Sequence, residues 1–132
     1  MGKKKIEAYI CAKCGSMKWV AYADGYIGEF EVTRDGNVKY SEEFCKYELE
    51  CGVCNDSSLI YIKGSRWELR DLVRLRPEDR ILKVLEMIVD GRIRVSLSPR
   101  ELLEIIEECQ FERGEEFLEK VRCLINRWIV LR

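Results

Sequence analysis

The sequence predicts an α+β protein in which an antiparallel β region precedes a small C-terminal helical region. In the first half, runs of alternating apolar and polar residues are separated by turn signals, whereas in the second half apolar residues recur at helical spacing. Two CxxC motifs also lie in the first half. We predict a β domain over residues 1–63 and a helical region over residues 64–132. The two can pack as a single unit, because no linker rich in glycine, serine or proline separates them.

The first half contains six predicted strands, each identified by alternation or by β-branched and aromatic content. Asp24-Gly25 and Asp35-Gly36 are turn signals between strands. The second of these favours a tight hairpin, because a type I′ turn needs positive φ at both central residues. The predicted strands are Ile6–Ile10, Lys18–Tyr22, Tyr26–Thr33, Val38–Tyr40, Phe44–Glu50 and Ser58–Ile62.

The second half opens with two helices whose ends are marked in the sequence. Ser65 and Glu68 have the spacing of a capping box, which predicts the start of a short helix. That helix should end near Arg76, because a proline follows and disfavours the α conformation before it. Pro77 suits the first turn of the next helix, which should stop at Asp90-Gly91.

Two further helices complete the predicted set. Arg92–Leu97 alternates and is interpreted as a short strand or an extended linker. Ser98-Pro99 then combines a capping serine with proline at the first helical position, which predicts the start of a third helix. Gly114 separates this helix from the last one, whose apolar residues recur at helical spacing as far as Ile129.

The two CxxC pairs predict a metal site. Cys11 and Cys14 form one pair and Cys51 and Cys54 the other, with 36 residues between the pairs. Each CxxC turn presents two thiolates to one ion, so two turns complete a tetrahedral shell. Each pair follows one predicted strand and precedes another. This arrangement resembles the zinc ribbon superfamily over about residues 5–63, and the resemblance implies one structural Zn²⁺ held by the four cysteines.

The spacing between the pairs departs from the compact form of such sites. The usual gap is about 15 to 20 residues. We attribute the extra length here to an inserted hairpin over Tyr26–Tyr40. A redox CxxC needs only one pair, in a βαβ setting. An iron–sulfur cluster can also use four cysteines, and disulfides are disfavoured in a reducing compartment. We therefore favour zinc over these alternatives.

Three cysteines remain outside the pairs. Cys45 lies near the second pair and is interpreted as a packing residue, with a role as substitute ligand as the alternative. Cys109 and Cys123 fall on the apolar stripes of consecutive helices, which favours buried free thiols. In a heat-adapted protein they could instead form a disulfide.

Composition sets further expectations. The chain has 23 basic and 24 acidic residues, for a net charge of −1, which argues against a general electrostatic attraction to nucleic acid or to anionic membranes. It has no signal-like start and no apolar run of about 18 residues, so we expect a cytoplasmic protein with no membrane contact. Few amides among many Glu, Lys and Arg residues suggest a thermophilic, archaeal source.

Catalysis is not expected. The chain has no histidine, which excludes Ser-His-Asp, Cys-His and HExxH sites, and it contains no GxxxxGK[ST] loop. Four thiolate ligands would also close the metal shell, leaving no position for a reactive water. We therefore predict a protein that is not an enzyme.

A basic face is predicted on and beside the first helix. Four of its residues are spaced three or four apart next to Trp67, and two more lie on the extended stretch that follows the second helix. Arginines beside an aromatic ring can contact phosphates and stack on bases. The opposing interpretation is that they pair with Glu68, Asp71, Glu78 and Asp79. The predicted nucleic-acid-binding residues are Lys63, Arg66, Arg70, Arg74, Arg92 and Arg94.

Two apolar features could bind a protein partner. The β ribbon is rich in aromatic residues, and Leu124–Leu131 is densely apolar. The latter is either core or a docking surface for a partner or a second copy. Because zinc ribbons often serve transcription, translation or replication machinery, the resemblance implies an accessory protein that binds nucleic acid or a nucleoprotein complex. The alternative is a protein–protein adaptor, small subunit or homodimer with no nucleic-acid contact. The aromatic residues concerned are Trp19, Tyr22, Tyr26, Tyr40 and Tyr61.

Overall fold

The computed structural model describes residues 6–23, 26–40, 48–54, 58–93, 95, 97–107 and 114–131. Strands fill the first half and helices the second, which confirms the predicted α+β class. The strands are β1 (Ile6–Cys11), β2 (Lys18–Ala23), β3 (Tyr26–Val32), β4 (Val38–Tyr40), β5 (Glu48–Cys51) and β6 (Leu59–Gly64). The helices are α1 (Arg66–Val73), α2 (Pro77–Val89), α3 (Pro99–Glu107) and α4 (Glu115–Leu131).

The described strands form two antiparallel sheets that meet at the cysteine motifs. One sheet pairs β1 with β6, with Cys11 opposite Leu59. The other has the order β4-β3-β2-β5, with Trp19 opposite Cys51. Consecutive strands on either side of a CxxC motif therefore belong to different sheets. This crossover brings the ends of β1 and β5 together.

The predicted inserted hairpin is present as β3 and β4. Its register places Phe30 opposite Tyr40 and Val32 opposite Val38. The predicted type I′ turn with Asp35 and Gly36 at its centre is wrong, because Gly36 N–H donates to the Thr33 carbonyl and closes a turn centred on Arg34 and Asp35. Gly36 has φ of +88°, a conformation that favours glycine. A Cβ atom built on Gly36 would lie 2.1 Å from the carbonyl oxygen of Arg66. The turn therefore packs directly on the start of α1.

The helix starts follow their sequence signals. The capping box is complete, because the Ser65 hydroxyl accepts the Glu68 N–H and the Glu68 carboxylate accepts the Ser65 N–H. Ser98 accepts the N–H of Glu101 at the start of α3. Between α2 and α3 the described residues of Arg92–Leu97 form no strand. Arg92, Ile93 and Leu97 lie in bends, so the strand interpretation is wrong for the described part of this segment, and Ile93 is buried there.

One continuous apolar core contains side chains from both halves of the chain. The strands contribute Ile10 and Ile62, and the helices contribute Leu69, Leu102 and Val121, among others. The ring of Trp19 is also buried and stacks on Phe30 with the two ring planes 3° apart. No helix in the described part of the chain combines the length and apolar character that a bilayer span requires.

The remaining cysteines divide between those described and those not. Cys123 is a free and exposed thiol, so the prediction that it is buried is wrong. The reason is its position on α4, where Val121, Leu124 and Ile125 form the buried face and leave Cys123 to one side. Cys45 and Cys109 lie outside the described residues.

Candidate metal centre

The four paired cysteines converge on one point. Residues 11–15 form the first knuckle, between β1 and β2, and residues 51–54 form the second knuckle, between β5 and β6. Cys11 and Cys51 end their strands and are fully buried, whereas Cys14 and Cys54 are partly exposed. Each turn reverses the chain within four residues, which brings its two thiols to the same side.

The sulfur positions fit a single tetrahedral ion. Cys11 Sγ lies 3.6 Å from Cys54 Sγ, and Cys14 Sγ lies 3.4 Å from Cys51 Sγ. All four sulfurs lie within 4.8 Å of one another. A tetrahedron with Zn–S bonds of about 2.3 Å places its sulfurs about 3.8 Å apart. No disulfide joins them, because a disulfide bond is about 2 Å long.

Backbone amides point at the sulfurs. Cys14 N–H donates to Cys11 Sγ at 3.5 Å, and Cys51 Sγ accepts from Val53 N–H at 3.4 Å and from Cys54 N–H at 3.5 Å. Such bonds stabilise thiolate over thiol. The knuckle backbones therefore favour the ionised form that a metal ion needs.

The four cysteine sulfurs lie so close together that they cannot all ionise unless a cation balances their charge. A hydrogen bond from the Cys14 thiol, aided by backbone N–H groups, lowers the pKa of Cys11 to about 5, although burial opposes the shift. The same contact raises the pKa of Cys14. Four adjacent sulfurs thus share protons that a divalent cation would displace on binding.

The first knuckle is held against the helices. Gly15 has φ of +73°, and a Cβ atom built on it would lie 2.3 Å from the carbonyl oxygen of Pro77. Arg80 on α2 donates from Nη1 to the Gly15 carbonyl at 3.1 Å and from Nη2 to the Val73 carbonyl at 2.6 Å. Burial lowers the pKa of Arg80, and the neighbouring Cys14 sulfur acts in the opposite direction.

The second knuckle faces outward. Gly52 and Val53 are exposed, with 59% of the Val53 surface accessible. A Cβ atom built on Gly52 would make only ordinary contacts with Lys18, the closest at 3.4 Å. The Gly52 N–H donates to the Lys18 carbonyl, which ties this knuckle to β2.

The predicted arginines divide into two groups. Arg66, Arg70 and Arg74, together with the half-exposed Trp67, form what we call the arginine face of α1. Arg70 lies over the Trp67 ring at 4.6 Å from its centroid, and Arg66 lies at 5.5 Å. Arg66 and Arg74 donate their Nε–H groups to the carbonyls of Asp35 and Arg34 in the β3–β4 turn.

The other predicted basic residues lie apart from this face or are paired. Arg92 forms an ion pair with Glu68 at 2.5 Å, and Lys63 is exposed at the end of β6. Arg94 lies outside the described residues. Arg70 also pairs with Asp71 at 3.3 Å. Two of the four acidic partners proposed for these arginines, Glu68 and Asp71, therefore do pair with them.

The aromatic residues of the ribbon are likewise divided. Trp19 is core, Tyr22 donates its hydroxyl to Glu50, and Tyr61 is exposed and donates to Glu7. Tyr26 and Tyr40 occupy strand positions, but the structure does not describe their side chains.

Arg80 is the residue that sequence reasoning missed. It was not singled out in the sequence, yet its Nε atom is fully buried. One weak signal was present, since a cation in the first turn of a helix opposes the helix dipole and calls for a specific partner.

Similarity to known proteins adds no further assignment. No protein-family model matches the chain, and no curated protein or solved structure matches it. The resemblance to zinc ribbons therefore rests on the four cysteines and on the strands that carry them.

Proposed function

We propose that this chain is a non-catalytic zinc-binding module in which four cysteines hold one structural Zn²⁺. The observation that carries the proposal is the set of four Sγ atoms within 4.8 Å of one another. All four candidate ligands are sulfur atoms, and a shell closed by four thiolates matches structural rather than catalytic zinc sites. A mononuclear iron site would use the same donors, so the metal must be identified directly.

Metal analysis tests this part of the proposal. The purified protein is expected to contain one zinc per chain, and Co²⁺ substitution should give the absorption bands of a tetrahedral tetrathiolate site. Cys14→Ser and Cys54→Ser should each lower the zinc content, whereas Cys123→Ser, at an exposed free thiol, should leave it unchanged. If the unmodified protein binds no metal, the proposal is contradicted. If it contains iron instead of zinc, the four cysteines form an iron site and the zinc assignment is wrong.

We further propose that the arginine face contacts nucleic acid, within or near a nucleoprotein complex. Arg66 and Arg74 use their Nε–H groups internally, while their terminal Nη groups have no acceptor among the described residues. Successive members stand four residues apart, a rise of about 6 Å each, so three guanidinium groups follow one line. Trp67 adds an aromatic surface, about half of which is accessible, on which an unpaired base can stack.

The arrangement favours a single strand over a duplex. The face is one line of cations with Asp71 beside it, whereas the net charge of −1 provides no broad positive surface for a duplex. Stacking on Trp67 also requires a base that is not already paired.

Fluorescence anisotropy at several salt concentrations tests this contact. The metal-loaded protein is expected to bind a single-stranded oligonucleotide more tightly than its duplex. About three phosphate contacts give a slope of log K against log salt near −2. Arg66→Gln and Arg74→Gln should each reduce the steepness of the slope by about 0.7. Arg100→Gln, an exposed arginine at the start of α3, is the matched control and should not change it. If oligonucleotide binding is undetectable, or if its affinity does not depend on salt, the proposed contact with nucleic acid is wrong.

One observation favours the alternative, a protein–protein adaptor. The apolar stretch Leu124–Leu131 is split in two by the fold, because Leu124 and Ile125 are buried while Ile129, Val130 and Leu131 are exposed. Val130 alone is 81% accessible. Analytical ultracentrifugation distinguishes self-association from a monomer here. If this surface pairs two copies, Val130→Asp should convert a dimer to a monomer, whereas Lys120→Gln, an exposed residue about three turns earlier on α4, should not.

A further inference from the structure

Arg80 joins the metal centre to the arginine-bearing helix. Its guanidinium donates to Gly15, the residue that follows Cys14, and to Val73, the last residue of α1. These two acceptors belong to segments far apart in the sequence. Arg80 is thus a direct side-chain link between the first knuckle and the C-terminal end of α1.

The charge of the site gives this link a second role. Four thiolates around one divalent cation leave a net charge of −2, which must be balanced where the sulfurs are buried. Backbone N–H groups supply part of the compensation. Arg80 supplies a full positive charge beside the first knuckle, where its partly buried guanidinium donates to the Gly15 carbonyl and lines the same cavity as Cys14.

The packing around Arg80 allows little adjustment. Gly15 sits so close to Pro77 that even a Cβ atom would overlap the backbone. The Arg80 Nε atom is buried without a hydrogen-bond partner among the described residues, so the guanidinium is held by its two Nη groups. A shift of the first knuckle would therefore break a bond to Gly15, to Val73, or to both.

We propose that Arg80 is a positioning residue of the zinc centre, which balances thiolate charge and fixes the end of α1 when metal is bound. Occupancy of the four-cysteine site then controls the order of the arginine face. This inference rests on the proposed zinc site. Any effect of zinc on nucleic-acid binding rests in addition on the proposed contact of the arginine face with nucleic acid. Groups outside the first coordination shell commonly change metal affinity about ten- to hundredfold.

Zinc competition against a chromophoric chelator and hydrogen exchange of the full chain test this inference together. Arg80→Gln is expected to weaken zinc binding at least about tenfold and, at saturating zinc, to speed amide exchange at the end of α1. Arg80→Lys keeps the charge without the planar fork, and its zinc affinity should fall between wild type and Arg80→Gln. Arg76→Gln removes an exposed arginine at the same helix end and should leave both measurements within about twofold of wild type.

The outcomes separate the two proposals. If wild type binds no zinc, the proposed metal function fails and the inference falls with it. If wild type binds zinc and Arg80→Gln matches it in both affinity and exchange, the inference alone is overturned. Equal losses in Arg80→Gln and Arg76→Gln would also overturn it, because general charge rather than the Gly15–Val73 link would then be responsible. Should Arg80→Gln not fold, Arg80→Lys carries the same comparison.

Discussion

The two knuckles share a motif and a set of donors, but their surroundings differ. In the first, Gly15 is buried against Pro77 and its carbonyl is bonded to Arg80. In the second, Gly52 and Val53 face outward and contact β2 through one backbone bond. The CxxC spacing sets the ligand geometry in both. The contacts around each knuckle decide whether it also serves as a joint between the β and α parts of the molecule.

Removing the metal is expected to have the largest effect, and it should act through both knuckles. Structural zinc in small domains contributes about 10 to 16 kcal/mol of binding free energy. Chelation should therefore unfold the strands around the site and, through the first knuckle, increase amide exchange at the end of α1. Circular dichroism and hydrogen exchange before and after chelation measure both effects. If amide hydrogen exchange throughout α1 were unchanged after chelation, the first knuckle would not connect the metal site to α1.

Alanine at the two glycines compares the knuckles directly. Gly15→Ala must place a Cβ atom 2.3 Å from the Pro77 oxygen at a φ of +73°, so we expect a loss of at least about 2 kcal/mol in unfolding free energy. Gly52→Ala meets only ordinary contacts, so we expect a change within about 0.5 kcal/mol. Thermal or denaturant unfolding of the zinc-loaded proteins measures both. Similar losses in the two variants would remove the distinction drawn between the knuckles.

A smaller effect is expected at the tip of the second knuckle. Val53→Ser exchanges an apolar side chain that is 59% accessible, so stability should change by no more than about 0.5 kcal/mol. Its N–H bond to Cys51 Sγ comes from the backbone and is kept. Zinc affinity should accordingly match wild type within about twofold, as measured by chelator competition. A marked loss would show that the tip contributes more to the site than its exposure implies.

The sequence was sufficient for features governed by local chemistry. The CxxC spacing identified the four converging cysteines, Asp35-Gly36 identified the hairpin turn, and Ser65 with Glu68 identified the start of α1. The hairpin turn and the helix start each depend on residues a few positions apart, so local rules apply. The convergence of the two cysteine pairs, 36 residues apart, followed instead from the four ligands that one tetrahedral ion needs. The thermophilic and archaeal expectations, the proposed domain boundary and the cytoplasmic location remain predictions.

Long-range contacts were not predictable in the same way. Arg80 bonds to a carbonyl 65 residues away, and Arg74 to one 40 residues away. No spacing rule connects such positions, and backbone carbonyls leave no signature in the amino-acid sequence. Cys123 was misplaced because its apolar neighbours extend around much of α4, and only packing against other helices determines which side is buried.

The bonds from Arg66 and Arg74 to the β3–β4 turn have a thermodynamic consequence. A free arginine side chain carries about 2 kcal/mol of rotamer entropy, part of which is lost when an anion immobilises it. In this protein that loss has already occurred on folding, because the turn carbonyls hold both Nε–H groups. Association with an anionic ligand at α1 should therefore have a smaller entropic penalty than it would at unconstrained arginines. The inserted hairpin would then contribute to affinity without touching the ligand.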